Sequence, residues 1–280
     1  MKIGGHVSVA GGVDLAIQRA LSIGANCFQI FVTSPRQWRQ TVITDQQVRQ
    51  FKLGIVEHNL APVFIHGMYL VNLATDNQEL LEKSVDALVH ALTVADQIGS
   101  QGVIFHIGSR KGRDADEAIQ QVIKAVDEVL HRAQGKSQLI IENTAGQGGV
   151  IGSNFEELAL IVKGVNSQRV KVCLDTCHLF AAGYDVRSPE TLRKLLKDFD
   201  IAVSLERLAV MHANDSKFEL GRHRDRHENI GEGEIGLAGF KAMLENPILC
   251  KLPWLLEVPG FDNTGPDKKN ISILKNLVVR

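Results

Sequence analysis

Five histidines and four carboxylates have the types and spacing to hold divalent cations: His66, His106, Glu142, Asp175, His178, His212, Asp225, His227 and Glu257. Most of them close a short apolar run. His66 follows Val63-Phe64-Ile65, Glu142 follows Leu139-Ile140-Ile141, and Glu257 follows Trp254-Leu255-Leu256. Asp225 and His227 stand at i and i+2, which in an extended segment turns both side chains the same way. A lone histidine at the end of an apolar strand is ordinarily a hydrogen-bonded structural residue, and a lone acid there caps a helix or pairs with arginine. So many at equivalent places reverse that weighting. Four carboxylates crowded without a cation would raise one another's pKa, so the set points to bound metal. Imidazoles and carboxylates without an obvious thiolate suit zinc, manganese or iron better than a structural zinc clip. Nine ligands exceed what one ion uses, which suggests two or three ions and a bridging carboxylate.

Such residues can meet only if the elements carrying them converge. Strand-like runs span Lys2 to Val7, Ala25 to Val32, Pro62 to His66, Gly102 to Ile107, Gln138 to Asn143, Val170 to Asp175, Leu208 to His212 and Trp254 to Val258. They are nearly continuous apolar runs, as parallel strands buried on both faces require. Helical segments alternate with them, their starts marked by Thr44 with Gln47, Asp76 with Glu79, Ser153 with Glu156, and Ser188 before Pro189. Eight βα units in 280 residues predict a single-domain (β/α)8 TIM barrel over residues 1–280, with the strand C-termini gathered on one rim. An open doubly wound sheet is the alternative that periodicity leaves open.

The remaining composition bounds the class. With 44% hydrophobic and 22% charged residues the chain is globular. A net charge of -1 argues, taken alone, against a partner held by bulk positive charge. The four cysteines match neither a CxxC pair nor a secreted disulfide framework. Cys173 and Cys177 read as small buried hydrophobes. The N-terminus has no signal-like apolar stretch, so the expected location is the cytoplasm, with no membrane involvement. His6 is a candidate donor to the pocket, while His58, His90 and His131 fall on helical segments and are expected in solvent. Gly146 to Gly149 lacks the Lys-Ser/Thr of a phosphate loop and reads as a mobile βα-loop. Three loops on the same rim mix cationic and flat side chains: Ser34 to Arg39, Gly67 to Leu70, and Arg222 to His227. Beside a metal cluster they suit a polyanion, with Tyr69 and Leu70 placed to stack on or wedge between bases.

Ile141 to Gly146 (IENTAG), Cys173 to His178 (CLDTCH) continuing to Phe180 to Asp185, and Asp225 to His227 leading to Ile230 to Gly233 resemble the signatures of the endonuclease IV family. These are metal-dependent apurinic/apyrimidinic endonucleases of base excision repair. The resemblance runs from Gly5 to Glu257. It implies a TIM barrel with three divalent ions, zinc foremost, with manganese or iron as alternatives at some sites. By resemblance, His66 and His106 hold one ion, and Glu142 bridges it to a second completed by Asp175, His212 and Glu257. His178, Asp225 and His227 hold the third. Glu142 would also orient the attacking water. Arg36, Gln37, Tyr69 and Leu70 would enter the duplex at the lesion. The implied partner is duplex DNA with abasic sites or blocked 3′ ends, met by a monomer and cut 5′ of the lesion to leave a 3′-hydroxyl and a 5′-deoxyribose phosphate. Arg222 and His223, just before Asp225, depart from the family pattern.

The rival reading is a sugar isomerase of the xylose-isomerase-like barrels, which use one or two ions and need neither the Asp225/His227 pair nor the cationic loops. A binding protein without activity would lack a ligand, and none is missing. Three divalent ions add six charges to -1, so the loaded protein would carry about +5 and the objection to a nucleic-acid partner lapses.

Overall fold

The computed structural model describes residues 1–278. Its strands are β1 (Lys2–His6), β2 (Phe28–Ile30), β3 (Val63–His66), β4 (Gly102–Phe105), β5 (Gln138–Glu142), β6 (Val170–Asp175), β7 (Leu208–His212), β8 (Asp215–Ser216), β9 (His227–Glu228) and β10 (Pro253–Leu256). The helices are α1 (Ala16–Ser22), α2 (Asp45–His58), α3 (Gln78–Ile98), α4 (Ala115–Arg132), α5 (Phe155–Val165), α6 (Thr176–Ala182), α7 (Pro189–Ala202), α8 (Gly236–Glu245) and α9 (Lys268–Val278). Eight strands close a parallel barrel in the order β1-β10-β7-β6-β5-β4-β3-β2, and β8 and β9 form a separate antiparallel hairpin between β7 and α8. The predicted (β/α)8 barrel is therefore the observed fold, and the open sheet is excluded. Among the described residues no helix is long and apolar enough to cross a membrane.

Burial on both faces explains the uninterrupted apolar runs. Cys27, Phe64, Ile104, Ile140, Cys173, Val210 and Leu255 pack together as one buried cluster, and the other apolar side chains of the strands pack in the larger core with the helices. At Gly4 in β1 a Cβ would overlap the Cys27 carbonyl, so that close approach admits only glycine.

Several boundaries differ from the sequence reading. β2 occupies Phe28–Ile30 rather than Ala25 to Val32. Its flanks bond elsewhere: the Ala25 N–H donates to the Ala20 carbonyl, and Asn26 Oδ1 accepts from Ile3 N at 2.7 Å. β4 and β10 end at Phe105 and Leu256, because the Ile107 carbonyl accepts from Leu73 N and Glu257 N donates to Asn214 Oδ1. Thr44 with Gln47 forms the expected capping box, and Ser188 caps α7 with Pro189 in its first turn. The other two starts move one residue on: Asn77 caps α3 through Leu80 N, and Asn154 caps α5 through Glu157 N. His58 and His131 are exposed as expected. His90 is half-buried, with its Nε2 unpartnered, because α3 packs beneath the loop after β2 near the Thr41 backbone.

Candidate metal centre

Strand register assembles the site. Asp175 pairs directly with His212 across β6 and β7, and His212 pairs with Leu255, two residues before Glu257. His66 pairs with Ile104, two residues before His106. An offset of two returns the side chain to the same face, so ligands far apart in sequence point into one mouth. The β8–β9 hairpin then delivers Asp225 and His227 from the side.

Glu142, fully buried, is the hub. Its Oε2 lies 3.2 Å from His66 Nε2 and 3.4 Å from His106 Nε2. Its Oε1 lies 2.9 Å from His212 Nδ1 and 3.4 Å from His178 Nδ1. His212 Nδ1 also faces Glu257 Oε2 at 3.6 Å and Asp175 Oδ2 at 3.8 Å. A third group forms where His178 Nε2 is 3.2 Å from Asp225 Oδ2 and His227 Nε2 is 3.3 Å from Asp225 Oδ1. All nine sequence-selected side chains thus come together as three adjoining clusters of ligand atoms: His66, His106 and Glu142; Glu142, Asp175, His212 and Glu257; and His178, Asp225 and His227.

The donor set fits divalent cations. His66 Nδ1 bonds the Gly67 carbonyl at 2.7 Å, His178 Nδ1 the Asn143 carbonyl at 3.0 Å, and His227 Nδ1 the Glu257 carbonyl at 3.3 Å. A carbonyl only accepts, so each Nδ1 carries the proton, and a neutral ring keeps its Nε2 lone pair for an ion. The buried His227 Nε2 and His106 Nδ1 have no hydrogen-bond partner. Burial would raise Glu142 and Glu257, yet the surrounding histidines hold both well below the usual carboxylate range, His106 and His212 foremost at Glu142, and His212 followed by His6 and His66 at Glu257. Burial also works against charging His178 and His212, but Asp175, with Asp225 and Glu142, raises His178, and Cys173, with Glu142 and Glu257, raises His212, both well above the ordinary imidazole value. Asp225, against burial, is drawn down to about 2 by His178, with His227 and His106 adding to the pull. His106 and His6, burial dominating, are lowered. Burial pushes the Cys173 and Cys177 thiols up to about 12, which keeps them neutral, although both lie close enough to complete a ligand cluster.

Four residues of the centre escaped the sequence reading. Gln29 is fully buried, bonding His212 Nε2 through its oxygen at 2.9 Å and Glu257 Oε1 through its nitrogen at 2.6 Å. Asn214 donates to Asp175 Oδ2 at 2.6 Å, and Asn143 accepts from Asp175 N at 2.7 Å. Asp215 accepts backbone N–H bonds from Gly231, Gly233, Ile235 and Gly236. A glutamine inside the apolar run Cys27-Phe28-Gln29-Ile30 was the available signal for the first. Asn143 beside Glu142, and Asn214 two residues after His212, were signals for the next two. His6, expected as a donor to the pocket, lies with its Nδ1 3.7 Å from Glu257 Oε1.

The pocket over the three clusters, about 380 Å³, is lined by His66, Tyr69, His106, His178, Asp225, Arg226, His227, Glu257 and Pro259. A second cleft of about 850 Å³ shares Tyr69 and Glu257 and runs between the loops after β1 and β2. Arg36 and Gln37 are exposed on the loop after β2, and Tyr69 is 60% exposed at the junction of the two cavities. Tyr69 N donates to the Pro35 carbonyl, which joins the two loops. Leu70 is half-buried against the core. His223 bonds the Ala145 carbonyl, and Arg222 is exposed. The Gly146 to Gly149 loop is tied down, with Gln147 accepting from Asp225 N and the Gly149 carbonyl from Arg110 N.

A closed parallel barrel with a histidine and carboxylate centre at its C-terminal rim defines a metal-site barrel enzyme, and the family described as a xylose isomerase-like TIM barrel matches residues 17–277. Within that class the similarities are specific. A probable endonuclease 4 from Halothermothrix orenii is 41% identical over 98% of this chain and 99% of its own length. A probable endonuclease 4 from Aquifex aeolicus is 39% identical over 98% of this chain and 96% of its own. The crystal structure of endonuclease IV from Thermus thermophilus superposes with a TM-score of 0.88 at 36% identity, over 99% of both chains. The chain belongs to the endonuclease IV family: it is an enzyme, a DNA-repair endonuclease of the hydrolase class, and the family is metal-dependent. A D-tagatose 3-epimerase-like protein, with a TM-score of 0.73 at 16% identity over 99% of this chain and 96% of its own, shares the fold alone.

Proposed function

We propose that this protein, acting as a monomer, cleaves duplex DNA 5′ of an abasic site, leaving a 3′-hydroxyl and a 5′-deoxyribose phosphate, and clears blocked 3′ ends. The observation that carries this reading is the division of Glu142, whose Oε2 faces His66 and His106 while its Oε1 faces His212 and His178. A carboxylate so shared suits a bridge. His66 and His106 would hold one ion with Glu142, and Asp175, His212 and Glu257 would complete a second. His178, Asp225 and His227 would hold a third. Zinc suits the nitrogen and oxygen donors, with manganese or iron as alternatives at some positions. When bound, divalent ions lower the pKa of water from ~15.7 towards ~7 and offset charge on phosphoryl oxygens.

The chain itself supplies shape and placement. Arg36, Gln37, Tyr69 and Leu70 would enter the duplex, Tyr69 presenting its exposed ring for stacking. An abasic nucleotide has no stacking partner, so turning it out of the helix costs less than at an intact pair. The 380 Å³ pocket then receives the sugar and phosphate.

The test is a duplex bearing one tetrahydrofuran abasic analogue, incubated with metal-loaded protein. A single nick 5′ of the analogue is expected, with undamaged duplex left intact. Glu142→Gln keeps only one carboxyl oxygen, so the incision rate should fall by more than about 100-fold. Equal nicking of undamaged duplex, or fewer than three ions per chain by elemental analysis, defeats the proposal.

A further inference from the structure

We infer that Gln29 is a positioning residue that selects which nitrogen of His212 and which oxygen of Glu257 face the second ion. The inference rests on the ion assignment proposed above. Gln29 sits at the centre of β2, a strand that contributes none of the nine ligands, and its amide is fully buried. A buried amide without partners costs about 1–3 kcal/mol. Here every partner is a residue of the centre.

The contacts fix the orientation of the amide. The nitrogen lies 2.6 Å from Glu257 Oε1 and 3.0 Å from His6 Nδ1. A carboxylate cannot donate, so the reversed amide would set lone pair against lone pair. The amide oxygen therefore faces His212 Nε2, at 2.9 Å. That oxygen only accepts, so Nε2 keeps a proton in either charge state of His212, and once an ion displaces the proton of Nδ1 the neutral ring presents its lone pair there. Nδ1 is the atom facing Glu142 Oε1, Glu257 Oε2 and Asp175 Oδ2. On Glu257 the same amide occupies Oε1 and leaves Oε2 on that side. One side chain thereby turns two donor atoms toward one point. An outer partner of this kind commonly contributes 10- to 100-fold in metal affinity.

Two variants separate the contacts. Gln29→Met removes both hydrogen bonds at similar length. Gln29→Glu keeps an acceptor for His212 and sets a like charge against Glu257. Metal-free protein would be titrated with Zn2+ against a chromophoric chelator. The His212 Nε2 proton would be followed by NMR in metal-loaded, 15N-histidine-labelled protein, assigned by its loss in His212→Asn. In Gln29→Met, one ion of the set should weaken by about 10- to 100-fold while the others hold, and the protected Nε2 proton should disappear. In Gln29→Glu the same ion should weaken while that proton persists, a split that general loosening of the fold would not give. Retention of every ion at parental affinity in either folded variant overturns the inference, and so does a protected Nε2 proton in Gln29→Met. Failure of His212→Asn to remove any ion would instead defeat the ion assignment itself, and the role of Gln29 with it.

Discussion

Glu142 and the histidines around it form a coupled set whose charge depends on whether protons or cations occupy it. Despite burial, Asp175 with Asp225 and Glu142 raises His178, and Cys173 with Glu142 and Glu257 raises His212, well above the ordinary imidazole value. For a group raised on folding, the stabilisation is fully present below its unfolded pKa and is lost as pH rises through the folded one. Glu142 and Glu257 are held well below the usual carboxylate range, so their contribution is present above that range and is lost in acid. Chelated protein should therefore be most stable in mildly acid solution, above the usual carboxylate range and below the ordinary imidazole value. Its Tm should fall on going alkaline, by about 2–4 °C for each pH unit over which one histidine deprotonates. Metal-loaded protein should not show this fall, since neutral imidazoles are the ligating form. Thermal melts of both forms from pH 6 to 9 decide it, and identical profiles would contradict the assignment of these residues to ions. The residue types were legible in sequence because a strand-end histidine or acid interrupts an apolar run. Gln29 interrupts one too, but a single buried amide shows no partner in sequence.

The β8–β9 hairpin is the element on which the third cluster depends. Asp215, fully buried, accepts N–H bonds from Ser216 and from Gly231, Gly233, Ile235 and Gly236, fastening the base of the segment that carries Asp225 and His227. A Cβ at Gly233 would stand 2.6 Å from Asp215 Oδ1, which accounts for a glycine within Ile230 to Gly233. Asp215→Ala leaves several buried N–H groups without an acceptor, at about 1–3 kcal/mol each where water does not replace it. The expected outcome is a loss of about 3 kcal/mol or more in urea unfolding together with one ion fewer per chain. An unchanged metal count would detach the hairpin from metal binding. Sequence periodicity located every barrel strand but not this hairpin, whose strands are two residues each, too short to carry a period. The shifted caps at Asn77 and Asn154 have a similar cause. Adjacent polar residues compete for the cap, and backbone geometry decides between them.

At the scale of the whole molecule, charge and shape combine. The chain carries -1, and on the proposed reading the rim that Arg36, Tyr69 and Arg226 share with the centre would become attractive to DNA once divalent ions offset its carboxylates. Chelation of still-folded protein should weaken binding to abasic duplex by at least about 10-fold at low salt, with a shallower salt dependence. Equal affinity of stripped and loaded protein, measured by fluorescence anisotropy, would remove the cations from DNA recognition. The sequence alone determined eight alternating strand and helix units and made a closed barrel the expected architecture, while the observed strand order excluded the open sheet. It also determined the ligand types, since imidazole and carboxylate at strand ends are costly to place without a cation. Tertiary structure alone decided how those ligands divide among three clusters, which atoms of His212 and Glu257 turn inward, and that Asp215 secures the loop bearing Asp225 and His227. These are relations between side chains far apart in sequence, such as Gln29 and Glu257. Only closure of the barrel sets their distance, so composition and local spacing carry no trace of them.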